Sequence, residues 1–241
     1  MNNYAVQTEN LGKRFGKFAA VKNLNLTVQA GEIFGFLGAN GAGKTTAIRM
    51  LCGLLLPSSG TGRVAGFDIY KENEKIKQRI GYMSQKFSLY EDLTPAENIE
   101  FYGGVYGLKR QTLLNKRAEL LEELGLIEQA HMTTHALPLG FKQRLALSCA
   151  LLHDPPIIFL DEPTGGVDPE ARRSFWNLIY HLAQNGKTIF VTTHYMDEAE
   201  YCHRVSIMYQ GEIIALDSPK ALKHKFGLAS MQEVFIHLVD R

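Results

Sequence analysis

Gly38-Ala39-Asn40-Gly41-Ala42-Gly43-Lys44-Thr45, with Thr46 directly after it, is the stretch that decides the reading of this chain. It satisfies the pattern GxxxxGK[ST] at every fixed position. Glycines let the backbone curl until successive N–H groups converge on phosphate oxygens, where a Cβ would obstruct them. A helix starting at Lys44 would add its N-terminal amides and dipole to the same anion. The Lys44 ammonium is expected to bridge the β- and γ-phosphates of ATP, and the Thr45 hydroxyl to ligate Mg²⁺.

The flanking sequence supplies the structural context such a loop requires. Val28–Leu37 reads as strand, turn and strand, and its second half, Ile33-Phe34-Gly35-Phe36-Leu37, is a short apolar run. From Lys44 the apolar period turns helical through Ile48, Met50, Leu51 and Leu54, until Pro57-Ser58-Ser59-Gly60 breaks it. A further alternation centres on Ile80-Gly81-Tyr82-Met83. From about Pro95 to Leu152 the periodicity is helical, with Leu113, Leu114, Leu120, Leu121 and Leu124 at helical spacing. Strand signals return at Ile157–Leu160, Thr188–Thr193 and Val205–Tyr209, with a helix at Pro169–Gln184 between the first two. The pattern is that of an α/β core interrupted by an inserted helical lobe.

The run Ile157-Ile158-Phe159-Leu160 ends in two acids, Asp161 and Glu162. A buried parallel strand would deliver both carboxylates at its carboxyl end, beside the phosphate loop. Asp161 is expected in the Mg²⁺ shell, and Glu162 as the base that polarises an attacking water.

Composition sets limits. The chain has 241 residues, 45% apolar and 21% charged, with a net charge of +1. Those figures give no electrostatic argument for nucleic acid. Cys52, Cys149 and Cys202 lie far apart and form no metal-ligand spacing. They read as small buried thiols in a reducing compartment. Lys13, Arg14, Lys17 and Lys22 interrupt any signal-peptide core. No apolar run approaches the roughly 18 residues of a membrane helix, so service to a membrane would be peripheral.

Together these residues resemble the ATPase subunits of ABC transporters nearly end to end. The resemblance implies a P-loop NTPase fold of the ABC-ATPase type, as one domain over residues 1–241. A RecA-like core would occupy about 1–85 and 155–241 and a helical subdomain about 86–154, with an antiparallel β-subdomain at the N-terminus. Phe15, in Lys13-Arg14-Phe15-Gly16, resembles the aromatic that stacks on adenine. Gln85 resembles the glutamine that senses Mg²⁺ and the γ-phosphate. Asp161-Glu162-Pro163-Thr164-Gly165-Gly166-Val167-Asp168 resembles the acidic motif and the loop after it, and His194 the switch histidine. Glu162, His194 and Gln85 are thus the implied catalytic set, and Thr45, Gln85 and Asp161 the implied metal set.

The family's usual Leu-Ser-Gly-Gly-Gln signature is altered. Leu137-Pro138-Leu139-Gly140-Phe141 stands in its place, followed by Lys142-Gln143-Arg144. Pro138 offers neither hydroxyl nor N–H, which leaves the Leu139 and Gly140 amides at a helix start. The variant resembles a branch of bacterial exporters that work with type-2 export permeases, often beside a periplasmic adaptor. That resemblance implies drug or small-molecule efflux, and a peripheral position at the cytoplasmic face of the inner or plasma membrane. It also implies a homodimer or heterodimer of ATP-binding domains, in which Pro138, Leu139, Gly140 and Asp168 complete the partner's site. Phe87, Leu89 and Tyr90 are expected to contact the permease, whereas Phe101 and Tyr102 fit either that role or the helical core. Two rival functions stand beside this one: a soluble ATPase acting on nucleic acid or ribosomes, and a nucleotide-gated module without turnover.

Overall fold

The computed structural model describes residues 4–86 and 88–240; Phe87 therefore lies outside the described residues. The chain opens with β1 (Tyr4–Phe15) and β2 (Phe18–Gln29), two long antiparallel strands joined through Gly16-Lys17. After β3 (Ile33–Leu37) and α1 (Lys44–Leu51) come β4 (Ser59–Val64) and β5 (Phe67–Asp68), which extend the first sheet in the order β2-β1-β4-β5. Every pairing in it is antiparallel.

Next are α2 (Asn73–Lys77), β6 (Ile80–Met83), α3 (Pro95–Val105), α4 (Arg110–Glu123) and α5 (Leu139–Leu151). The remainder is β7 (Ile157–Asp161), α6 (Pro169–Gln184), β8 (Thr188–Thr193), β9 (Arg204–Tyr209), β10 (Glu212–Asp217), α7 (Pro219–Phe226) and α8 (Met231–Val239). The second sheet runs β10-β9-β3-β8-β7-β6, parallel throughout except for the β9–β10 hairpin. Among the described residues no helix is long and apolar enough to cross a membrane.

Both faces of the parallel sheet are covered, which is why β3, β7 and β8 are buried at every position. Strand period divides their side chains between two cores. Phe34, Phe36, Ile157 and Phe159 pack with α1 and the antiparallel sheet. Ile33, Leu37, Ile158 and Leu160 pack with α6, α7 and α8. A third cluster, around Ile99, Leu121, Leu126 and Leu145, belongs to α3–α5 and the turns between them. Local chemistry sets the helix starts. Thr94 and Glu97 form a capping box ahead of α3, and Asp168 caps α6, each with a proline at the first turn.

Candidate functional site

The phosphate loop joins the carboxyl end of β3 to α1, and two of its glycines are required by close approach. Gly43 has φ +106°, and a Cβ there would lie 2.5 Å from the Ala20 carbonyl oxygen. A Cβ on Gly38 would lie 2.5 Å from the Met208 carbonyl oxygen. The loop is thus wedged between β2 and the end of β9. Lys44 is nearly buried and folds back to donate to the Gly38 and Ala39 carbonyls at 2.8 and 3.2 Å. The Ala42 N–H turns inward to Ala39 O at 3.1 Å, so Ala42 shapes the loop and its amide does not face the cleft.

Beside the loop, β7 ends on the two acids. Parallel register sets Asp161 opposite Thr192 of β8, whose hydroxyl donates to Asp161 Oδ1 at 2.7 Å. The Thr45 hydroxyl donates to the same oxygen at 3.1 Å. Burial raises the Asp161 carboxyl above its ordinary pKa, against the two hydroxyls that lower it. A hard cation at this point would offset that desolvation, and Thr45, Asp161 and Gln85 supply the oxygen donors Mg²⁺ prefers.

Glu162 leaves the strand with φ +49°, a left-handed conformation uncommon outside glycine. Its N–H is held by Thr192 Oγ1 at 2.8 Å. That kink turns the side chain into the cleft, where three partners converge on it. Gln85 Nε2 donates to Oε2 at 2.9 Å, Lys44 Nζ lies 3.3 Å from Oε1, and His194 Nδ1 lies 3.3 Å from Oε2. The His194 contact is close without being an aligned hydrogen bond.

Phe15, Asn40, Gly41, Gly43, Lys44, Thr45, Thr46, Gln85 and Glu162 line one cleft of about 390 Å³, together with Phe18 and Ala20. Gly38 and Ala39 contribute through the carbonyls that hold Lys44, from outside the lining. Phe15 and Phe18 are cross-strand partners at the hairpin tip, 51% and 65% exposed. Such exposed rings suit stacking on a flat base, worth about 1–3 kcal/mol by alanine substitution. Phe15→Ala should therefore weaken ATP binding at least about five-fold, with tripolyphosphate affinity unchanged in parallel titrations. Equal losses for both ligands would remove Phe15 from the base-stacking role.

The signature residues lie elsewhere. Pro138, Gly140 and Asp168 line a separate groove of about 300 Å³ with Phe141, Arg144 and Ala171. Leu139 is 39% exposed beside them. A proline at the first helical position would be the familiar arrangement, but Pro138 sits at the N-cap of α5, with extended ψ of 150°. The first amide engaged there is that of Phe141, to Pro138 O at 3.0 Å. Gln143, fully buried, donates to Pro163 O at 2.6 Å and ties α5 to the turn after Glu162.

Of the permease-contact residues expected from sequence, Tyr90 is exposed and packs edge-on to exposed Phe101, with ring centroids 4.6 Å apart. Leu89 is half-buried against two of the cores, and Tyr102 packs on the helical cluster. All three cysteines are buried and free, and burial pushes each thiol pKa up. Sequence reasoning missed Thr192, Phe18 and Ala20. Thr192 carries no sequence signal, because a threonine in a strand is ordinary. Phe18 could have been found from its place two residues after the Gly16 turn.

Residues 21–165 match the family described as ABC transporter. The probable multidrug ABC transporter ATP-binding protein YbhF of Escherichia coli (strain K12) is 48% identical over 239 residues, covering 97% of this chain and 41% of its own length. The chain thus spans less than half of that relative. The linearmycin resistance ATP-binding protein LnrL of Bacillus subtilis (strain 168) is 40% identical over 223 residues, covering 92% of this chain and 72% of its own.

A solved ATP-binding subunit of an ABC transporter superposes with a TM-score of 0.87 at 27% identity, covering 98% of this chain and 99% of its own. The dimeric cassette MJ0796, in a post-hydrolysis state bound to ADP and Pi, gives 0.80 at 26% identity, covering 88% and 98%. Sequence match and superposition both extend over the loop, the β7 acids and the helices between them, and the chain belongs to the ABC transporter family as an ATP-binding domain.

Proposed function

We propose that the chain hydrolyses ATP as one half of a paired assembly and powers a membrane permease that exports drugs or other small molecules. The observation that carries the hydrolytic part is the placement of Glu162. Its carboxylate stands in the cleft beside Lys44, oriented by Gln85 and within reach of His194. In the expected sequence of events the loop amides and Lys44 bind the phosphates, and Lys44 exchanges Glu162 for phosphate oxygen. Glu162, released from that ion pair, accepts a proton from the attacking water. Gln85 holds the carboxylate in position, and the His194 imidazole stabilises charge on the γ-phosphate. Thr45, Asp161 and Gln85 would hold Mg²⁺, which would supply neutralising charge there.

Pairing is supported by the separation of the signature groove from the cleft, since Pro138, Leu139, Gly140 and Asp168 cannot complete a site whose lining excludes them. The relative MJ0796 was captured as a dimer with ADP and Pi. Two copies of this chain, or this chain with a second ATP-binding domain, both satisfy the geometry. Export is supported by the names of the relatives, one a probable multidrug transporter protein and one a linearmycin resistance protein. The partner proposed is an integral type-2 export permease of the kind that can work beside a periplasmic adaptor, with this chain docked peripherally on it at the cytoplasmic face of the inner or plasma membrane. Exposed Tyr90 and Phe101 suit a permease contact. Affinity purification from solubilised membranes should recover an integral membrane protein with the chain; repeated recovery of ribosomes or DNA instead would refute the transport reading.

A further inference from the structure

Glu198 lies in the acidic run Asp197-Glu198-Ala199-Glu200, yet it has no exposed surface, whereas Asp197 and Glu200 beside it reach solvent. A carboxylate that deep needs partners for both oxygens, and the two it has come from opposite sides of the catalytic residues. Thr164, in the turn that follows Glu162 and leads to Asp168, donates its hydroxyl to Glu198 Oε1 at 2.5 Å. Thr193, the residue before His194, donates to Oε2 at 2.6 Å.

The Thr193 hydroxyl also accepts the Tyr195 N–H at 3.0 Å, so its own proton is committed to Glu198 and the turn carrying His194 is fixed on both sides of the histidine. Arg172 of α6 adds a third side. Its Nε lies 3.6 Å from Glu198 Oε1, and its guanidinium carbon lies 4.3 Å from the centre of the Tyr195 ring, which packs against His194.

We propose that Glu198 is a positioning residue that locks the His194 turn to the Glu162–Asp168 turn, so that the switch histidine, the base and the pairing loop move as one unit. This rests on the reading of Glu162 and His194 as hydrolytic residues. Glu198 touches neither, and its effect passes through Thr193 and Thr164. A tie of this kind acts on geometry at the moment of reaction, and small misplacements of reacting groups cost large factors in rate while leaving substrate binding alone.

Glu198→Gln conserves volume but cannot accept both threonine hydroxyls with its amide nitrogen. It should lower kcat about 10-fold with KM for ATP within about two-fold. Thr193→Val should reproduce that loss, and Thr193→Ser, which keeps the hydroxyl, should restore the rate. In a His194→Ala background, Glu198→Gln should cost clearly less than in the wild-type chain, because one of the two groups it ties together is gone. Losses that multiply in the double variant, or a rise in KM at constant kcat, would overturn the proposal.

Amide hydrogen exchange reads the coupling without turnover. Glu198→Gln should speed exchange at Val167, whose N–H donates to Thr164 O at 3.4 Å, and at Tyr195 together. Faster exchange at one alone, or at neither, counts against the tie. Should the wild-type chain show no hydrolysis, the ATPase reading falls and the exchange result alone decides this one.

Discussion

Glu162→Gln is expected to slow ATP hydrolysis by roughly 10²–10³-fold while ATP binding persists. The amide is isosteric, so Gln85 and the left-handed turn at position 162 can remain in place, but it cannot take a proton from water. Binding should hold or tighten. The substitution removes a negative charge near the γ-phosphate and frees Lys44, now 3.3 Å from Glu162 Oε1, for phosphate oxygen without first breaking an ion pair. An ATP-bound pair should therefore accumulate, alone or with the permease. Phosphate release measured beside size-exclusion chromatography in MgATP checks both halves. Turnover at the wild-type rate would take the base role from Glu162, whereas no phosphate release from the wild-type chain itself would favour a nucleotide-gated module.

Lys44→Ala should act at the earlier step. The Lys44 side chain is 4% exposed, serves two carbonyls and Glu162, and lines the cleft. A hydrogen bond to a charged group contributes about 1.5–3 kcal/mol, so ATP affinity should fall roughly 10- to 150-fold. Loss of the ammonium also leaves Glu162, which is 9% exposed, beside the phosphates without a counter-charge. Lys44→Arg is not a rescue, because a planar guanidinium cannot reproduce three donors converging on Gly38 O, Ala39 O and a phosphate. Equilibrium titration with ATP tests the point, and near-wild-type affinity in Lys44→Ala would dissociate the loop from phosphate binding.

Both variants target residues that could be picked from the chain before any fold was known, and the reason is local. GxxxxGK[ST] encodes its own geometry within eight residues, and the apolar run ending in Asp161-Glu162 encodes a buried strand with its acids at the carboxyl end. Periodicity likewise gave β3, α1, β7, α6, β8 and β9. Gln85 and His194 were visible only through family resemblance, since a lone glutamine or histidine carries no pattern.

Other features depend on register and packing between distant segments. Thr192 reaches Asp161 because β8 lies parallel to β7 in one register, a relation across 31 residues. The tilt of Glu162 into the cleft comes from a single φ angle held by that same threonine. Leu89 looked like a surface contact in the sequence and is half-buried between two cores, because α3–α5 fold back against the sheet. Glu198 stands in the acidic run Asp197-Glu198-Ala199-Glu200 and is nevertheless interior. An ATP-binding loop on an α/β core was legible in the chain alone, because those signals lie within short stretches whose backbone conformation their own residues dictate. Which hydroxyls and carboxylates hold Asp161, Glu162 and the His194 turn in place emerged only from the folded chain, because those partners meet through strand pairing and burial, which no local pattern records.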